Sequence, residues 1–315
     1  MLTRRHLRIK VLQALYSFYQ TPDADVLHQE KELLKSINKI YDLYLFYMLV
    51  FEEFKVFTEK EIDQSKYKIS GGDPEKDPRQ KIIKNRLINL IEGSEELRKA
   101  SELKKVNWIG DDKQDLLKKM FKKAKSDELY SDYIESTDSS WEEDRTFLIE
   151  FFKKDIANSE LLYFYLEEES IMWQDDIDHV CSMVIKSLKK GDEGKPFQIL
   201  PLYKDEEDEK GFLLDLYRET LKNEETNSEL IDQLTKNWEM DRIALMDVIL
   251  MKMAVTEITK FKTIPTKVTL NEYIEISKFY STPKSNGFIN GVLDKAVEVL
   301  KDEGKLVKVG RGLME

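Results

Sequence analysis

A single cysteine, Cys181, stands in a chain of 315 residues, and histidine occurs only at His6, His28 and His179. One thiol cannot close an internal disulfide, and so few sulfur and imidazole ligands form no cluster with metal-binding spacing. No metal or other cofactor is expected. Glycine (12 residues) and proline (7) are scarce, and neither occurs between Asp111 and Lys190. A stretch so poor in turn residues suits helices rather than short strands. Long apolar runs are missing: the longest, Leu43–Phe51, is far too short to span a bilayer. Met1–Lys10 holds four cations without the apolar run that follows them in a secretory signal. The expectation is a soluble cytoplasmic protein without a membrane partner. Phosphate-binding glycine loops, nucleophile motifs and metal-ligand spacings are also missing, so a non-enzymatic role is expected.

What the chain has in quantity is charge. Fifty Lys and Arg stand against 61 Asp and Glu, for a net charge of −11. Taken whole, that sign argues against a nucleic-acid partner. Its distribution argues otherwise. Asp127–Asp178 contains 17 acidic residues and only Arg145, Lys153 and Lys154 as bases, and the remaining chain is close to balanced at +3. The first ten residues reverse the pattern, with Arg4, Arg5, Arg8 and Lys10 and no acid.

Apolar residues recur with helical spacing, as in Leu7, Val11, Leu15 and Phe18, or Leu33, Ile37, Ile40, Tyr44, Tyr47 and Phe51. Period-2 alternation over a strand's length is missing, so the expected fold class is all-α. Turn residues at Thr21–Asp25, Ser70–Pro78, Asn107–Asp112, Gly191–Pro201, Lys204–Gly211, Thr263–Thr266 and Ser281–Gly287 divide the helices. Forty-odd residues at 26–69 read as one helix, either a long strut or a pair broken near Glu53. Single helices are expected over 79–106 and 158–189. Residues 241–260 are apolar on nearly every side, which marks the centre of a bundle. Trp141–Arg145 and Trp238–Arg242 share the pattern W-E-x-D-R, from a duplicated unit or from similar helix starts.

Thr3 is positioned to cap a helix beginning at Arg4. Cations in a first turn oppose the helix dipole, so something outside the helix should offset that cost. Free backbone N–H groups and guanidinium groups together suit phosphate, although a solvated basic end or a transit segment would also fit.

Arg4-Arg5-His6-Leu7-Arg8, followed by Val11-Leu12-Gln13-Ala14-Leu15-Tyr16, resembles the opening of the bacterial transcription antitermination factor family NusB. Ile264–Glu272 (IPTKVTLNE) and Gly287–Lys295 (GFINGVLDK) resemble two further motifs of that family, in the same order. The resemblance covers residues 1–20 and roughly 205–303. It implies two small helical bundles that bind a short single-stranded RNA element, boxA, together with the small-subunit ribosomal protein NusE. The transcription elongation complex and other Nus factors are implied as wider partners. Arg4, Arg5, Arg8 and Lys10 would form a phosphate track, with Lys284, Phe288 and Asn290 as further RNA contacts. Tyr16, Asp241 and Arg242 would lie where the ribosomal protein docks.

The implied organisation is a first helix over 1–24, a helical insertion over 25–200 that is acidic in 127–178, a C-terminal core over 201–303, and a basic flexible tail over 304–315. Ser281–Asn286 (STPKSN) departs from the family's more acidic, histidine-bearing loop. Gly291 inside a helix would cost about 1 kcal/mol relative to Ala, and close helix packing is the expected reason for it. The competing reading is a helical protein-interaction scaffold without RNA binding.

Overall fold

A computed structural model describes residues 2–65, 73–236 and 243–313. In chain order its helices are α1 (Arg4–Gln20), α2 (Val26–Ser65), α3 (Gln80–Ile83), α4 (Arg86–Glu92), α5 (Glu95–Lys104), α6 (Asp111–Ala124), α7 (Glu128–Glu135) and α8 (Trp141–Phe151). They continue as α9 (Glu160–Glu169), α10 (Ile177–Lys190), α11 (Glu206–Lys222), α12 (Glu224–Leu234), α13 (Leu245–Lys260), α14 (Thr266–Tyr280) and α15 (Ser285–Asp302). The fold is all-α, with no strand among the described residues. No helix among them is long and apolar enough to cross a membrane.

Two compact units divide the chain. One joins Met1–Ile37 to Tyr203–Glu315, and the other is the uninterrupted stretch Asn38–Leu202. The division falls inside α2, which runs unbroken past Glu53 to Ser65.

In the discontinuous unit α13 is central, packed against α1, α11, α12, α14 and α15. Eleven of its 16 residues are buried, as expected of a helix apolar all round. Three of the buried ones carry ionisable groups, Asp247, Lys252 and Glu257. Five residues apart, each lies about 140° further round the helix than the last. Each therefore meets a different neighbour. Asp247 accepts bonds from Ser281 and Ser285 (2.6 Å for the latter), Lys252 pairs with Glu224, and Glu257 pairs with Arg8.

The continuous unit has an aromatic core along α2. Phe46 stacks on Trp108 at 3.8 Å between centroids, and Phe54 on Phe151 at 4.4 Å. The indole N–H of Trp108 donates to the Phe46 carbonyl at 2.9 Å, which satisfies the one polar atom of a buried ring. Tyr133 and Phe147 stack at 3.8 Å beside the buried Asp144, which pairs with Arg86. Part of the acidic block is thus bound within its own unit rather than solvated.

Two expected helices are divided. The stretch 79–106 becomes α3, α4 and α5 because Asn85 and Ser94 cap fresh starts, accepting from the N–H groups of Ile88 and Leu97. The stretch 158–189 breaks after Ser170 into a 3-10 segment, Ile171–Asp176. Conversely, α11 begins earlier than the glycine at 211 suggested. Asp205 caps it, and Glu206, Glu207, Asp208 and Glu209 fill its first turn, where the dipole favours acids. The Trp238–Arg242 half of the W-E-x-D-R pair lies outside the described residues.

Candidate functional site

Thr3 caps α1 as expected. Its hydroxyl accepts from the His6 N–H at 3.4 Å, and His6 Nδ1 accepts from the Thr3 N–H at 3.3 Å, a reciprocal box with histidine in the usual Glu position. The first turn of α1 then carries Arg4 and Arg5 with no acid of its own, and the missing countercharge comes from other helices. Arg4 bonds Asp208 of α11 at 2.6 Å and lies 4.1 Å from the centroid of Phe212. Arg5 grips Glu272 of α14 with two bonds of 2.9 and 2.8 Å.

Arg8 repeats this fork in the interior. It donates two bonds of 2.7 Å to Glu257 of α13, with side-chain exposures of 2% and 0% for the two partners. Thr269 donates to the same carboxylate at 2.7 Å and Tyr273 at 3.2 Å. Burial opposes the charge on Arg8, but bonding to Glu257 and its charge outweigh that and hold the guanidinium above its ordinary pKa. Burial also pushes the Tyr273 hydroxyl far up, reinforced by the neighbouring Glu257. Nearer the surface, the bond from Arg5 holds Glu272 below its usual range against partial burial.

The expectation of one solvent-facing track of four cations needs correction. Arg8 and Lys10 are only 2% and 3% exposed. Arg8 lies on the inward stripe of α1 with Leu12 and Leu15, four and seven residues on, so its charge ties helices together. Arg4 and Arg5 are the members of the group that reach solvent.

These residues open on a cleft of about 1010 Å³, lined by Thr3–His6 and Arg8 of α1, Asp208 of α11, Thr263–Pro265, Val268 and Glu272 around the start of α14, and Arg311. Two helix N-termini share it. That of α14 has Pro265 at its cap and no side-chain hydrogen bond there, which leaves first-turn N–H groups for an outside acceptor.

Arg311 arrives by an unexpected route. The tail, expected to be flexible, folds back on the α13–α14 turn: the Val309 N–H donates to the Lys262 carbonyl at 3.0 Å, and Lys308 Nζ to the Phe261 carbonyl at 3.2 Å. Gly312 presses so closely that a Cβ there would sit 2.0 Å from the Lys262 oxygen.

The remaining candidates lie elsewhere. Lys284, Phe288 and Asn290 are not among the described residues lining the cleft. Lys284 is exposed at the start of α15, Phe288 is half-buried inside that helix, and Asn290 bonds Asp294 at 3.1 Å. The preceding loop is anchored by Ser281, Ser285 and the buried Asp247, so its serines serve the fold. Gly291 has open space around a built Cβ, which overturns the close-packing explanation. Tyr16 is 39% exposed on α1, while Asp241 and Arg242 lie outside the described residues.

Asp208, Glu257, Glu272 and Arg311 had no assigned role from sequence. A lone Glu in the most apolar helix and a lone Arg on an apolar stripe were the available signal for the pair Arg8 and Glu257. Arg311 carried only its flanking glycines.

An all-α bundle with a basic cleft between two helix N-termini is the class defined by this geometry. Residues 192–298 match the NusB family model. Three curated relatives, each named transcription antitermination protein NusB, match as well. The protein from Salinibacter ruber is 50% identical over 99 residues, covering 31% of this chain and 62% of the relative. That from Chloroherpeton thalassium is 39% identical over 106 residues, 34% of this chain and 50% of the relative. That from Natranaerobius thermophilus is 40% identical over 72 residues, 23% of this chain and 52% of the relative. The chain thus spans between half and five-eighths of the length of these relatives. No solved structure matches it.

Proposed function

We propose that the protein is a transcription antitermination factor that binds boxA-type single-stranded RNA together with a small-subunit ribosomal protein, NusE, in the bacterial cytoplasm. The observation that carries this reading is the convergence of two sequence-distant motifs on one cleft. Arg4 and Arg5 of the first motif and Pro265–Glu272 of the second meet there, with two helix N-termini facing the same space. Phosphates of a splayed strand suit that combination of guanidinium and backbone N–H donors. Phe288 and Asn290, with Lys284, supply a second RNA contact at the start of α15. Tyr16, Asp241 and Arg242 form the surface for the ribosomal protein. The acidic continuous unit is an insertion in the NusB-like core, and other Nus factors and the elongation complex are the wider assembly.

Titration of a labelled boxA RNA, alone and with the ribosomal protein, over a series of salt concentrations tests the reading. Affinity should fall steeply with salt, and Arg5→Ala should reduce the slope of log affinity against log salt by about 0.7, the value for one phosphate contact on a single strand. A wild-type protein that binds no RNA even with its partner would sink the proposal. One observation favours the scaffold reading as its rival: Arg4 and Arg5 are already neutralised by Asp208 and Glu272. In that case the salt slope of partner binding would be unmoved by either Arg variant.

A further inference from the structure

Three arginines reach solvent around the cleft, and they are not equivalent. Arg4 is held by Asp208 and Arg5 by Glu272, so an incoming phosphate must share or break an existing bond to use either. Arg311 is exposed and has no carboxylate partner among the described residues. Its charge is available without that cost.

The backbone around Arg311 is also built to hold it there. Gly310 adopts φ +54°, a left-handed conformation that disfavours other residues, and opens the 3-10 turn Gly310–Leu313. Gly312 is buried against the Lys262 carbonyl, where no Cβ fits, and Val309 is hydrogen-bonded to that same carbonyl. The pattern Gly-Arg-Gly thus presses the chain onto the α13–α14 turn on both sides of one side chain. That turn leads directly into the uncapped N-terminus of α14.

We infer that the C-terminal tail completes the RNA site, with Arg311 binding a backbone phosphate in the cleft between the N-termini of α1 and α14. A guanidinium presents a planar fork of donors that matches phosphate geometry, and the α14 N–H groups face the same anion. The inference deepens the RNA reading and rests on it. It adds a residue outside the 192–298 stretch matched by the family.

The test uses the full chain with two labelled single-stranded RNAs of equal length, one carrying boxA and one unrelated. Arg311→Ala should weaken both severalfold and by the same factor, since a phosphate contact carries no sequence information. The salt slope should drop by about 0.7. Gly312→Val, which leaves Arg311 in place but cannot seat the tail, should reproduce the loss, with circular dichroism showing helix content unchanged. Wild-type affinity and slope in Arg311→Ala would overturn the inference while leaving the RNA reading intact. A wild-type protein that binds neither RNA, alone or with the ribosomal protein present, would overturn both, and the wild-type titration tells the two failures apart. Weakening confined to the boxA RNA would assign Arg311 to a base instead of a phosphate, and so would also overturn the inference.

Discussion

Arg8 and Arg5 lie three residues apart on one helix, make the same two-pronged bond to a glutamate, and are expected to behave differently when removed. The Arg5 bond is near the surface, where an ion pair contributes little, about 0–1 kcal/mol. Arg8→Ala would leave Glu257 buried without its counter-ion, and breaking a buried pair costs about 3–5 kcal/mol. Chemical denaturation of the two variants should separate them by about 2–5 kcal/mol, the difference between those two costs. Replacing the pair together, Arg8→Met with Glu257→Leu, should recover only part of the loss: the desolvation of both charges is removed, but the buried hydroxyls of Thr269 and Tyr273 lose their acceptor. At this scale the basic motif was legible from the spacing of Arg4, Arg5 and Arg8. Which arginine faces inward was legible only through its register with Leu12 and Leu15, and its partner 249 residues away was not.

Helix starts were legible where a capping residue preceded an apolar run, as at Thr3. They were misread where composition hid the cap. Asn85 and Ser94 divide what looked like one helix, because a short capping side chain reads as an ordinary polar position until its bond is seen. The length of α2 was legible from unbroken periodicity, and its chemistry was not. Glu52 is pushed from an ordinary 4.5 up to about 7, first by burial and then by the charges of Glu92 and Glu53, against Lys55. A carboxyl with a raised folded pKa binds more protons folded than unfolded. Its contribution to stability is therefore full at and below about 4.5 and is lost as pH rises to about 7. Melting curves at pH 5 and pH 8 should show Glu52→Gln raising the melting temperature relative to wild type chiefly at pH 8. An equal effect at both pH values would contradict that assignment.

For the whole molecule, composition gave a misleading first answer because an average over 315 residues mixed an acidic stretch with a near-neutral remainder. Reading charge by position recovered the basic end, and the all-α class followed from the lack of turn residues and of strand alternation. The partition was harder to read, since the boundary at Ile37 and Asn38 falls inside a helix with no punctuation to mark it. The continuous unit has its own aromatic core around Phe46, Phe54, Trp108 and Phe151, so residues 38–202 expressed alone should fold cooperatively, with a single sigmoidal melt and an emission spectrum of buried tryptophan. A gradual, non-cooperative melt would show that it depends on the rest of the chain.

Thr3 and Arg311, near opposite ends of the chain, line one cleft. Any peptide fused ahead of Thr3 or beyond Leu313 emerges beside the surface that is to be assayed. A polyhistidine handle at either end would bring its own cations or bulk to that surface, and could lend affinity for RNA or obstruct it. Binding should be compared before and after the handle is cleaved, and a handle placed internally, in an exposed turn of the continuous unit such as Asp192–Lys195, leaves both ends as they are.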